Sequence, residues 1–359
     1  MFSSKFIFVG EKMKLLPILV LALCLANARL DFHSQYVSKF KSVSSLSPEP
    51  LTAATCESFQ CSSSPLNQNQ CVSPSGTANN LQICPQGSFC PWALSTKYNT
   101  TCVPGSTVIS YGGLPGDQCF SNSDCGGLSI CNLRTNTCVG RTTGQPCNDQ
   151  GDCDVGYSCR NVEMAATCQP MVGKGVKCGD YLSMNLCQNN LACNNGVCTS
   201  LFSGANGNIV TLDSAALLCE SGFYVPGNQP FTAECTKAPV SPSVSLPIAC
   251  TAGTLCYSKD KKYSIPCQCG FNSNGQGYCP LFPGDAQYQS YFDAFQTYMT
   301  SPGINSCHYL DVLMPTCPGI PDAEYKNLES LRLEVEYFTA KMGNDRCVKN
   351  IITNTYWYG

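Results

Sequence analysis

Two histidines are all that this chain of 359 residues offers for proton transfer near neutral pH. His33 lies in a Ser-rich stretch ahead of the main cysteine run, and His308 follows Cys307 directly. A thiolate beside an imidazole is a pair that nucleophilic catalysis uses. The cysteine count argues against that chemistry here. With 29 cysteines and only 13 % charged residues, the thiols read as disulfide partners, and Cys307 is expected to be bridged. No G-x-S-x-G, H-E-x-x-H, P-loop or G-x-G-x-x-G motif occurs. The chain therefore reads as no enzyme, with no catalytic residues and no cofactor.

Metal chemistry is the next candidate for so many cysteines. Cys267 and Cys269 form a C-x-C pair, but the recurring step along the chain is C-x5-C rather than the C-x2-C of thiolate zinc sites. Asp124, Asp149, Asp152 and Asp154 could suggest calcium. They lack EF-hand spacing and are expected to cap turns by accepting backbone N–H groups. No metal site is expected.

The N-terminus says where such thiols would be oxidised. Lys14 leads into an apolar run from Leu15 to Ala26, and Ala26-Asn27-Ala28 offers an A-x-A cleavage pattern. That is the design of a secretory signal peptide, assigned to residues 1–28, with Met1 or Met13 as the start. About twelve apolar residues fall short of the ~20 that span a bilayer, and no later stretch is long enough to cross one. Removing the peptide takes away Lys5, Lys12, Lys14, Glu11 and Cys24, so the mature chain goes from a net charge of −3 to −5 and keeps 28 cysteines. The expected localisation is secreted and extracellular, and the charge excludes a basic nucleic-acid binder. Asn99-Thr100-Thr101 is a glycosylation sequon.

The cysteines repeat. After a Ser-rich linker at 29–55 comes an N-terminal cysteine-rich module at 56–110, with candidate positions Cys71, Cys84, Cys90 and Cys102. The clearest copies are Cys119-x5-Cys125-x5-Cys131-x6-Cys138 and Cys147-x5-Cys153-x5-Cys159-x8-Cys168, each with Asp before its second cysteine. Cys178, Cys187, Cys193 and Cys198 form a third, and these copies occupy 111–200. A second cysteine-rich region at 201–280 holds Cys250 and Cys256, flanked by Cys235 and Cys267 as the fifth unit. Gly87, Gly156, Asn190 and Gly253 mark tight turns inside the C-x5-C steps. Units of 20–35 residues bury too little surface to fold alone, and two disulfides each, at roughly 2–4 kcal/mol, can substitute for a core. Four cysteines allow three connectivities; the crossed first-to-third and second-to-fourth pairing is favoured.

Residues 281–359 differ. Tyr288, Tyr291, Phe292, Phe295, Tyr298 and Met299 share one helical face behind Asp285 as N-cap. Tyr325, Leu328, Leu331, Val335, Phe338 and Met342 mark a second helix, opening at Asp322 and stopping at Gly343. Cys307, Cys317 and Cys347 should pin this pair, and its aromatic face should pack inward. The fold class is thus small and disulfide-rich: tandem irregular and β-hairpin modules, cysteine-stapled, with a C-terminal α-helical segment. Lys259, Lys261 and Lys262 cluster around Asp260 as a solvated loop.

The copies Cys119-FSNSD-Cys125-GGLSI-Cys131-NLRTNT-Cys138 and Cys147-NDQGD-Cys153-DVGYS-Cys159 resemble the N-terminal cysteine-rich domain of the Dickkopf family over residues 115–200. That resemblance implies an extracellular binding module of a secreted signalling antagonist; the second Dickkopf cysteine-rich domain has no counterpart here. The expected function is a secreted, non-enzymatic protein that binds an extracellular protein or glycan partner. The alternatives are a structural surface or matrix protein and a secreted protease inhibitor.

Overall fold

The computed structural model describes residues 113–162, 165–179, 186–242, 247–269, 276–313, 317–336 and 338, with 33, 37, 39–42 and the backbone of six short strands between 58 and 104. The expected signal peptide at 1–28, Cys84, Gly87, Cys90, Asn99, Cys102, Met342, Gly343 and Cys347 lie outside the described residues. The first strand is Lys41–Ser42 (β1). Ser58–Cys61 (β2), Gln70–Ser75 (β3), Ala78–Leu81 (β4) and Thr100–Thr101 (β6) form one sheet, and Ser88–Phe89 (β5) pairs with Val103–Pro104 (β7).

Three copies of one hairpin frame follow. Ile130–Asn132 (β8) pairs with Thr137–Val139 (β9), Tyr157–Val162 (β10) with Ala165–Pro170 (β11), and Leu191–Asn194 (β12) with Val197–Ser200 (β13). The registers set third and fourth cysteines opposite each other, as Cys131↔Cys138, Cys159↔Cys168 and Cys193↔Cys198. The hairpin's sulfurs then reach the loop ahead of it. The disulfides are Cys119–Cys131 and Cys125–Cys138, Cys147–Cys159 and Cys153–Cys168, and Cys178–Cys193 and Cys187–Cys198. Each copy is crossed first-to-third and second-to-fourth.

The backbone repeats as closely as the sulfurs. Three residues before each first cysteine stands a glycine, Gly116, Gly144 or Gly175, whose N–H donates to the carbonyl of the fourth cysteine. Each holds φ between 79° and 101°, a region costly for any residue with a Cβ. The acidic residue before the second cysteine also has a structural cause. Ser121-x-x-Asp124 and Asp149-x-x-Asp152 are capping boxes of short 3-10 turns. Asp124 accepts from the amides of Phe120 and Ser121 (2.8 and 2.9 Å), and Asp152 from those of Asn148 and Asp149 (2.7 and 3.4 Å).

The same bonds reveal a copy that the cysteine spacing hid. Gly207, at φ 89°, donates to Cys235 O, and Cys235 N donates to Asn208 O, as in the other copies. Ile209–Thr211 (β14) and Tyr224–Pro226 (β15) flank Thr232–Cys235 (β16), with Val210↔Ala233 and Tyr224↔Cys235 in register. Val210 thus stands where a first cysteine would be, and Tyr224 where a third would be. Only the second-to-fourth link remains, as Cys219–Cys235.

That finding corrects the frame of the fifth unit. Cys235 belongs to the copy before it, and the last unit is Cys250–Cys267 with Cys256–Cys279, again crossed. Ala249–Cys250 (β17) and Gln268–Cys269 (β20) flank Gly277–Tyr278 (β21), and an extra hairpin of Leu255–Tyr257 (β18) and Tyr263–Pro266 (β19) sits inside the unit. Cys279 N donates to Ile248 O, the bond that Cys138, Cys168, Cys198 and Cys235 also make. Strands β3 and β6 pair Gln70, just before Cys71, with Thr101, just before Cys102. The N-terminal unit therefore keeps this register in its backbone. The expected turn glycines are mixed: Gly156 and Gly253 take positive φ (81° and 78°), whereas Asn190 does not.

The apolar core lies elsewhere. Ala286–Thr300 (α2) follows a short helical turn at Ala215–Leu218 (α1), and Asp322–Glu336 (α3) packs on α2. All six aromatic-face residues of α2 are buried, as are Tyr325, Leu328, Leu333 and Val335 of α3. Apart from Leu333, they share one core with Val210, Leu218, Cys219, Ala233 and Cys235 of the fourth copy and Ala192 and Leu201 of the third. Asp285 stands at the N-cap of α2 without capping it. Its buried carboxylate accepts from Phe282 N (2.7 Å), Ser241 N (2.8 Å) and the Ser241 hydroxyl.

Candidate functional site

The groups singled out for chemistry are engaged in holding the fold. Cys307 is bonded to Cys317. His308 is buried; its Nδ1 accepts from Leu310 N (3.2 Å), so Nε2 carries the proton and donates to Cys153 O (3.1 Å). Burial lowers its pKa to about 4, against the smaller opposing effect of the backbone hydrogen bonds. The residue ties the loop after α2 to the second copy.

His33 lies within the stretch read as a linker, yet it is buried beside α2. Its Nε2 donates to Gly222 O (2.9 Å), leaving Nδ1 to accept from the Tyr288 hydroxyl (2.7 Å). The ring stacks on Phe292 with centroids 4.8 Å apart. Gly222, at φ 64°, has no room for a side chain: a Cβ there would meet Phe292 at 2.4 Å and His33 Nε2 at 2.6 Å. Burial lowers the His33 pKa to about 4, the Gly222 bond opposing it only in part. With Val37 buried and β1 paired to β19, part of residues 33–42 is packed structure.

The four aspartates all serve turns. Beyond the two capping boxes, Asp149 accepts from Gly151 N (2.8 Å) and Asp154 from Val155 N (3.0 Å) and Gly140 N (3.3 Å). Asp152 also accepts from Leu128 N (2.9 Å), joining the first copy to the second. The crossed disulfides bring three sulfurs within 4.8 Å of one another in several copies. As disulfides, these sulfurs offer a metal no thiolate. A cavity of about 450 Å³ opens between the third and fourth copies and the helices, lined by Leu201, Leu217, Met299 and Asn189 among others. Its size suits a small ligand, but the Asn189 amide donates to Ile304 O and Cys307 O (3.0 and 2.9 Å) and so braces the helical loop.

Exposed large apolar side chains are most frequent on the first copy, which carries four of the ten among the described residues. The residue before the third cysteine is buried in the second and third copies, as Ser158 and Ala192, and its equivalent in the fourth, Phe223, is 1 % exposed. In the first copy it is Ile130, 60 % exposed. Phe120 (73 %) and Leu133 (69 %) flank the same hairpin, and Leu128 is also exposed. The spacing of cysteines carries no sign of this, because it depends on which copies the helices and neighbours cover. The glycine at minus three is the signal that would have found the fourth copy: P-G-D-Q-C, T-G-Q-P-C and K-G-V-K-C continue as N-G-N-I-V at Asn206–Val210.

No protein-family model, curated protein or solved structure matches this chain. Ten disulfides are present among the described residues, and there no helix is long and apolar enough to cross a membrane.

Proposed function

We propose that the chain is an exported, non-enzymatic binding protein whose stapled copies hold rigid loops out to an extracellular protein or glycan partner, as a Dickkopf-like signalling modulator would. The observation that carries this reading is the exposure of Phe120, Leu128, Ile130 and Leu133 on the first copy. Large apolar side chains projecting from a disulfide-held hairpin lose little freedom on contact, which favours binding. Clusters of this kind, aromatic and aliphatic together, supply the central anchors of protein interfaces. The disulfide density suits an oxidising compartment, in keeping with the signal peptide expected at residues 1–28. The burial of both histidines and the Cys307–Cys317 bond support a non-enzymatic role.

Labelled full-length protein should bind intact cells saturably. The variant F120S/I130S/L133S should lose roughly tenfold or more in affinity, as removal of an interface anchor cluster does, while keeping its disulfides. Binding that does not saturate, or that the triple variant retains in full, contradicts the proposal.

A further inference from the structure

Lysine is unevenly placed in this fold. Lys259, Lys261 and Lys262 occupy four residues of the turn joining β18 to β19, all exposed, and Tyr257 beside them is 43 % exposed. The turn is tightly built. Lys261 sits at φ 58°, a conformation a long side chain adopts where its surroundings enforce it. Its N–H donates to Ser258 O (2.8 Å), and Asp260 Oδ1 accepts from the Ser258 hydroxyl (2.6 Å) and Lys262 N (3.1 Å). Asp260 is the turn's one carboxylate, and the Ser258 hydrogen bond is the largest influence holding its carboxyl below the usual range.

Two distant segments bring more lysines to the same sheet. Strand β1 pairs antiparallel with β19 and sets Lys41 beside Ser264, with Lys39 exposed just before it. On the other side, Lys259 N donates to Val240 O (2.8 Å), which draws in the segment carrying exposed Lys237. Six of the nine lysines among the described residues thus gather on one small sheet and its flank. Lys237, Lys259, Lys261 and Lys262 form no ion pair within 4.0 Å among the described residues.

We infer that this lysine-bearing sheet is a binding face for a sulfated polysaccharide. Ammonium groups are flexible point charges and suit a ligand whose sulfates vary in position more than a bidentate guanidinium fork would. Gathered on a rigid hairpin, they create a local positive potential on a molecule whose net charge is −3. Dense basic patches of this kind take polyanions. The exposed ring of Tyr257 adds a flat apolar surface on which a sugar ring can lie. A polysaccharide is the polyanion met outside the cell, so the inference rests on the exported reading above.

Heparin is the probe, and the full chain is the protein used. At about 0.15 M salt, K259S/K261S/K262S should bind heparin roughly tenfold or more weakly, and binding should fall steeply as salt rises. K39S/K41S, altered on the distant strand, should weaken it by a smaller factor, while K174S/K177S on the third copy should stay within about twofold of the parent. Four results overturn the inference: parental binding by the turn variant, an equal loss in K174S/K177S, undiminished binding of desulfated heparin, or stronger capture by phosphatidylserine vesicles. F120S/I130S/L133S keeps every lysine, so failure here leaves the cell-binding test of the first copy unaffected.

Discussion

The first and fourth copies share a backbone frame and are held by opposite means. The first copy's core consists of Cys119, Cys131 and Cys138, with Cys125 packed against them. The fourth has exchanged two cysteines for Val210 and Tyr224, and its remaining residues enter the aromatic core under α2 and α3. Cross-links and buried apolar area are therefore interchangeable supports for one loop geometry. The two copies also differ in what they expose: Ile130 of the first is open and the equivalent Phe223 of the fourth is buried. Double stapling alone does not open the position, because Ser158 and Ala192 of the other doubly linked copies are buried.

That contrast can be broken from either end. Phe292→Ala removes a ring on which His33 stacks and against which Phe202 packs edge-on (centroids 5.5 Å apart). It should cost about 3–5 kcal/mol, seen as lost hydrogen-exchange protection in β14–β16 and the helices but not in β8 and β9. Cys125→Ser with Cys138→Ser should do the reverse. With the partners 13 residues apart, the lost constraint is worth about 3 kcal/mol, and proteolysis should appear first within 113–139.

Acid sharpens the same comparison. His33 and His308 have folded pKa values of about 4 against a reference of 6.5, so the unfolded chain binds protons more readily between those values. Stability is complete above pH 6.5 and declines as pH falls towards 4, by about 2 kcal/mol per histidine at pH 5. Both histidines sit at seams of the helical segment, and the first copy has none. Melting followed at pH 7 and pH 5 should show the helical core losing stability while β8 and β9 hold; equal loss in both regions would contradict this. The smallest effect belongs to Asp152→Ala, which removes acceptors for Asn148, Asp149 and Leu128 amides. It should cost about 1 kcal/mol and loosen the joint between the first two copies, visible as faster exchange at Leu128.

Much of this architecture was legible because cysteine spacing is a local property. Cys119 to Cys198 could be grouped without a fold, and the six aromatic-face residues of α2 revealed their helix through period alone. The fourth copy was hidden because Val210 and Tyr224 look like ordinary strand residues; only register against β16 identifies them. The misframed last unit followed from that, since an unclaimed Cys235 was available to the wrong neighbour. Pairing across long separations was beyond reach for the same reason. His33 meets Gly222 and Tyr288 189 and 255 residues away, and Lys41 meets Ser264 through a two-residue strand. Whether Ile130 is open or covered depends on which elements fold over each copy, and spacing cannot report that.

One frame repeats from Cys119 to Cys279, with the fourth copy keeping a single link and the last copy beginning at Cys250. A disulfide map of the protein, digested without reduction, tests this frame. Peptides joining Cys219 to Cys235 and Cys256 to Cys279 are expected. A peptide joining Cys235 to Cys256 would contradict it.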